Sequence, residues 1–127
     1  MKLASIDVGL KRIGVAICLA SNIVTPQNAI LRKNRDQAAR DVNTFLKEWE
    51  IDKLIVGLPS SSEDTQNRIK HFVGLLELKI PFEFQEENMS SIEAEEMMKG
   101  EIKYKRDGRV DSLAAKIILE RFLAKKP

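Results

Sequence analysis

Three acidic positions offer the most distinctive chemistry in this sequence. Asp7 lies within the apolar run Leu3 to Val8, with no Lys or Arg directly beside it, although strands are depleted in Asp. Glu86 and Glu87 follow the short run Pro81 to Gln85, and Asp111 opens a segment whose face continues through Ala115, Ile118 and Phe122. Asp7 is the hardest of these to explain structurally, whereas Glu86 and Glu87 also read as solvated strand-end charges. Asp111 also reads as a first-turn acid favoured by the helix dipole. Brought together, such carboxylates repel one another and their pKa values rise unless cations occupy the site. Hard divalent ions with oxygen ligands supply that compensation. Two of them roughly 4 Å apart can activate water, orient a phosphodiester and stabilise the leaving oxygen, which is nuclease chemistry.

Basic and hydroxyl side chains near these acids are candidate substrate contacts. Lys11 and Arg12 follow Gly9-Leu10, and either could meet a backbone phosphate, Arg12 with a bidentate fork. Solvation of a turn explains them equally well. Ser61 and Ser62 lie in the polar stretch Ser60 to Asp64, and Lys103, Lys105, Arg106 and Arg109 could clamp a nucleic acid beside the acids. A charge run is more commonly a solvated surface. Gly9 and Gly14 have the spacing of a phosphate-binding loop, but Val15 and Ala16 stand where its Lys and Ser or Thr belong, so a P-loop is excluded. His71 reads as a partly exposed helix residue, and Cys18 and Trp49 read as core.

These side chains need a scaffold, and the hydrophobic pattern supplies one. Lys2 to Val8, Ile13 to Leu19 and Ile23 to Leu31 read as three strands, the first two joined as an antiparallel hairpin across Gly9-Leu10-Lys11-Arg12. Ala38, Ala39, Val42, Phe45, Leu46 and Trp49 recur at helical spacing, from a start at Asn34 or Asp36. Lys53 to Leu58 reads as a buried parallel strand because a helix precedes it. Ile69, Phe72, Val73 and Leu76 mark a second helix, and Pro81 to Gln85 a fifth strand. Ser90 to Lys99 reads as a short helix closed by Met97 and Met98, Gly100 to Arg109 as a mobile basic loop, and the segment from Asp111 as a final helix. The expected architecture is α/β: a mixed five-stranded sheet, three antiparallel strands then two parallel, flanked by helices. In such sheets ligands sit beyond the carboxyl ends of the parallel strands, where Asp7 and the Glu86-Glu87 pair fall.

Composition narrows the class. The 127 residues suit one domain spanning 1–127, and 43% hydrophobic against 31% charged residues predicts a folded core. No apolar run approaches the roughly 20 residues needed to cross a bilayer, so membrane insertion and secretion are not expected. One cysteine and no zinc-like Cys/His spacing fit a cytoplasmic compartment. A net charge of +2 does not by itself mark a nucleic-acid binder. Its distribution is more telling, with an acidic stretch from Phe82 to Glu96 running into a basic one from Lys99 onward.

Four blocks resemble the YqgF/RuvX family: Asp7-Val8-Gly9-Leu10-Lys11-Arg12-Ile13-Gly14-Val15-Ala16, Ile55-Val56-Gly57-Leu58-Pro59, Glu86-Glu87 with Ser90-Ser91-Ile92-Glu93-Ala94, and Arg109-Val110-Asp111-Ser112-Leu113-Ala114-Ala115 with Ile118-Leu119. The resemblance implies an RNase H-like fold related to RuvC-type Holliday junction resolvases. It further implies a divalent-metal nuclease, using Mg²⁺ or Mn²⁺ as a pair of ions, that matures the 5′ end of precursor 16S rRNA. By position, Asp7, Glu87 and Asp111 are then the metal-binding catalytic acids. Where the family usually has Asp-Glu-Arg, this chain has Glu86-Glu87-Asn88, which keeps the catalytic Glu and loses the Arg. Ser60-Ser61-Ser62-Glu63-Asp64 stands where an Asn and a Gly are common. Two other readings stay open: a resolvase acting on branched DNA, and a nucleic-acid or ribosome-binding module with little activity. An actin-like ATPase, suggested by the Asp-x-Gly opening, needs a second such domain that 127 residues cannot supply.

Overall fold

The computed structural model describes residues 1–60, 62–86 and 109–125, with the backbone alone at 109–111. The strands are β1 (Leu3–Val8), β2 (Arg12–Cys18), β3 (Thr25–Leu31), β4 (Lys53–Leu58) and β5 (Phe82–Glu86). The helices are α1 (Arg35–Glu48), α2 (Glu63–Leu76) and α3 (Arg109–Lys125). One sheet results, in the order β3-β2-β1-β4-β5. Pairing is antiparallel between β1 and β2 and between β2 and β3, and parallel between β1 and β4 and between β4 and β5. The expected mixed architecture is the observed one, with boundaries moved by one or two residues.

The pleat explains the two cores. Ala4, Ile6 and Val8 of β1 join Ile13, Val15 and Ile17 of β2 under α1 and α2, through Val42, Leu46, Ile69 and Phe72. Leu3 of β1 faces the other way, with Ala16, Cys18 and Ile55, against Ala115, Ile118, Leu119 and Phe122 of α3. Because side chains alternate along a strand, Ser5 and Asp7 share the α3 side with Leu3. Each fully buried Ile, Leu or Phe contributes about 1.5–3 kcal/mol, so the face of β1 is fixed by its apolar residues and Asp7 follows. β3 tolerates Pro26 because it is an edge strand.

Local signals set the helix starts. Asn34 caps α1 in a capping box: its side chain accepts from the Gln37 N–H at 2.8 Å, while the Gln37 side chain accepts from the Asn34 N–H. Ser62 caps α2, its Oγ accepting from the Thr65 N–H at 3.2 Å. One expectation needs correction. α3 begins at Arg109, so that residue belongs to a helix rather than to a basic loop, and Asp111 is in its first turn. Trp49, the C-cap of α1, packs against the core while staying half-buried, its ring tilted 6.4 Å from that of Phe45. Cys18 is buried and His71 exposed, as expected. The short helix expected at Ser90 to Lys99 and the loop from Gly100 lie outside the described residues.

Candidate active site

The parallel arrangement of β1, β4 and β5 brings their carboxyl ends to one edge of the sheet. Asp7 sits there, half-buried, on the side covered by α3. Its partner across the β1–β2 ladder is Gly14. On the β4 side the register pairs Ile6 with Val56, and one further step brings Asp7 beside Gly57. Among β2, β1 and β4, Asp7 is therefore the one position at this level that carries a side chain, while on β5 the partner of Gly57 is the buried Gln85. Cross-strand neighbours normally stand about 4.5–5.5 Å apart at Cβ and fill each other's surroundings. Gly14 and Gly57 contribute no side chain there, and both are buried. A carboxylate at a strand end, beside two residues without side chains, suits a hard oxygen-seeking cation.

α3 is fixed against this edge by two hydroxyls. Ser5 Oγ, fully buried, donates to the Ala115 carbonyl oxygen at 2.6 Å. The Val15 N–H donates to the buried Ser112 Oγ over a longer 3.4 Å, next to a shift in the β2–β3 register between Ile13 and Val15. From Ser5 to Asp7 a strand advances about 6.6 Å. From Ala115 back to Asp111 a helix retreats about 6 Å and returns to the same face. The Ser5–Ala115 bond thus ties the turn of α3 that follows Asp111 to the strand residue two positions before Asp7.

Not every expected site residue is described. Glu87 lies outside the described residues, directly after Glu86, the last residue of β5, which pairs with Leu58. The side chain of Asp111 is also outside them, so among the described residues no three metal-ligating side chains form a group. Ser61, Lys103, Lys105 and Arg106 are likewise outside, and Arg109 is placed by its backbone alone at the start of α3. Ser62 is occupied in capping α2, where its Oγ also donates to Thr65 Oγ1 at 2.9 Å.

Lys11 and Arg12 stand on the β1–β2 turn, Lys11 exposed and Arg12 half-buried. The turn closes through the Gly9 N–H, which donates to the Arg12 carbonyl at 3.0 Å. A Cβ on Gly9 would come within 2.5 Å of that carbonyl oxygen, so this tight closure requires glycine. Leu10 projects from the tip, 64% exposed. Arg32, not anticipated from the sequence, braces the turn: its N–H donates to the Lys11 carbonyl and its Nη1 to the Gly9 carbonyl, both at 2.9 Å. Ser5 and Ser112 were also missed. A hydroxyl two positions before Asp7 in an otherwise apolar strand was the available signal for Ser5.

The fold is RNase H-like. It matches a fowlpox virus Holliday junction resolvase with a TM-score of 0.58 and 16% identity, covering 97% of each chain. It also matches Thermus thermophilus RuvC, with a TM-score of 0.55 and 13% identity over 98% of this chain and 95% of the other. At those identities the likeness concerns the fold alone. In sequence, a family model described as "RuvX: Holliday junction resolvase" matches residues 1–125. A protein of Sulfurovum sp. (strain NBC37-1), named "Putative pre-16S rRNA nuclease", is 66% identical over 127 residues, covering 98% of this chain and 99% of its own. The chain belongs to the RuvX family.

Proposed function

We propose that this protein is a divalent-metal-dependent nuclease that processes the 5′ end of precursor 16S rRNA, acting as one catalytic domain over 1–127 in the cytoplasm. The observation that carries this reading is the position of Asp7, between Gly14 and Gly57 at the carboxyl edge of the parallel strands, with α3 fixed over the same face. Asp7, Glu87 and Asp111 are the residues that would hold Mg²⁺ or Mn²⁺, with two ions as the expected number. Such ions supply an activated water and charge neutralisation at the leaving oxygen.

The chain's own groups do the positioning. Packing of Leu3 and the Ser5–Ala115 bond hold Asp7 and the first turns of α3 in register. Gly14 and Gly57 flank Asp7 without side chains of their own. Lys11, Arg12, Ser61, Lys103, Lys105, Arg106 and Arg109 are the proposed contacts to its phosphates. RNA as substrate is supported by the name of the Sulfurovum relative, and branched DNA, the second reading, by the family description and the names of the structural neighbours.

The test is cleavage of an end-labelled precursor 16S 5′-leader RNA beside a four-way DNA junction, with Mg²⁺, with Mn²⁺ and with chelator. Metal-dependent cutting of the RNA is the expected result. Cutting of the junction alone would move the assignment to a resolvase. Binding without cutting by folded, metal-loaded protein would make it a binding module, with Asn88 in place of the usual Arg the first position to restore.

A further inference from the structure

A cluster of three arginines lies on the other side of the β1–β2 turn from Asp7. Arg32, between β3 and α1, is half-buried, tied to Gly9 and Lys11 and stacked 5.4 Å above the ring of Phe72. Arg68 precedes Phe72 by one turn of α2, so both share a helical face. Arg35 is the first residue of α1, directly after the cap Asn34. The Arg32 guanidinium is held below its ordinary pKa first by burial, then by Arg68 and Arg35, whose charges repel it.

Like charges drawn together in this way cost stability, and Arg35 adds to the cost because the amino end of a helix is itself positive. Among the described residues no carboxylate forms an ion pair with any of the three, and Asp36, the acid next to Arg35, is exposed. The cluster therefore has the charge and the forked donors of an anion site without an internal anion. Its location narrows the ligand. β3 runs parallel to β1 in this sheet, so Leu31, Arg32 and the start of α1 fall at the same edge as Asp7, with the Gly9–Arg12 turn between them. A chain of phosphates passing over that turn meets both.

We propose that Arg32, Arg35 and Arg68 form a second phosphate site, which holds the RNA backbone on the α1/α2 side of the turn while Asp7 acts on the α3 side. This rests on the nuclease reading and extends it by assigning the path of the strand. Arg35 and Arg68 bind the phosphates from exposed positions, and Arg32 couples the site to the turn that carries Lys11 and Arg12.

The test measures binding of fluorescein-labelled precursor 16S 5′-leader RNA across a salt series, with chelator present to prevent cleavage. Four proteins are compared: wild type, Arg35→Gln/Arg68→Gln, Arg35→Lys/Arg68→Lys, and Lys47→Gln/Lys79→Gln. The last removes the same charge from exposed positions beside the carboxyl ends of α1 and α2. Loss of two phosphate contacts lowers the slope of log affinity against log salt by about 1.4 for a single strand. The account expects that fall in the Arg→Gln pair, and the wild-type slope in the Arg→Lys and Lys→Gln pairs. An unchanged slope in the Arg→Gln pair, or an equal fall in the Lys→Gln pair, overturns the site while leaving the nuclease reading intact. Failure of the wild type to bind the RNA removes both.

Discussion

Asp7 stands directly across the β1–β2 ladder from Gly14, so the carboxylate at the carboxyl edge of the central strand has no side chain facing it from β2. Gly14 is itself buried, so a larger side chain there must displace its neighbours, Asp7 among them, and should slow the reaction without removing the acid. Gly14→Val is expected to lower RNA cleavage about a hundredfold, the effect of misplacing a reacting group by roughly an ångström. Far-UV circular dichroism should remain that of a folded protein. Undiminished cleavage by the folded variant would mean that the placement of Asp7 does not depend on Gly14.

The bond from Ser5 Oγ to the Ala115 carbonyl is short and buried, and it ties α3 to β1. Ser5→Ala should cost about 1 kcal/mol, the net worth of one intramolecular hydrogen bond, read as a lower urea midpoint. It should also lower kcat more than RNA affinity, because the bond ties α3, which carries Asp111, to the strand that carries Asp7. An unaltered midpoint would remove this bond from the account of how α3 is positioned.

Gly9 is required by closeness rather than by charge. An added methyl would press on the Arg12 carbonyl oxygen, a backbone atom that cannot rotate away. Gly9→Ala should therefore destabilise the protein by about 1–3 kcal/mol, the range for overpacking, seen as a lower Tm. A Tm equal to that of the wild type would show that the turn relaxes freely.

The basic residues after the acidic stretch make a separate prediction. Replacing Lys103, Lys105 and Arg106 together with Gln should lower the salt slope of RNA binding by about 2, three contacts at roughly 0.7 each. An unchanged slope would make them solvated surface.

The sheet was legible because its signals are local and strong. β-branched runs bounded by Gly9, Gly57 and Pro59 gave the strands, and the stripe from Ala38 to Leu46 gave α1. Asp7 was legible for the opposite reason, as an acid in an apolar strand. Trp49 packs against the core but stays half-exposed, because it stands at the end of α1. Arg109 misled because a run of basic residues masks the start of a helix whose apolar face appears only from Ala114. The residues that fix the geometry were harder to see. Ser5 and Ser112 meet partners 110 and 97 positions away, and Arg32 meets Phe72 from another element. Such contacts follow from topology, and no local pattern encodes them.

The central claim is that Asp7 supports metal-dependent hydrolysis from the carboxyl edge of β1. Its most direct test is the single-turnover rate of precursor 16S 5′-leader RNA cleavage in Mg²⁺ by wild type and by Asp7→Asn, which keeps size and removes charge. Asp7→Asn should retain the wild-type fold and RNA binding and lose cleavage. Equal rates in the two proteins would contradict the site.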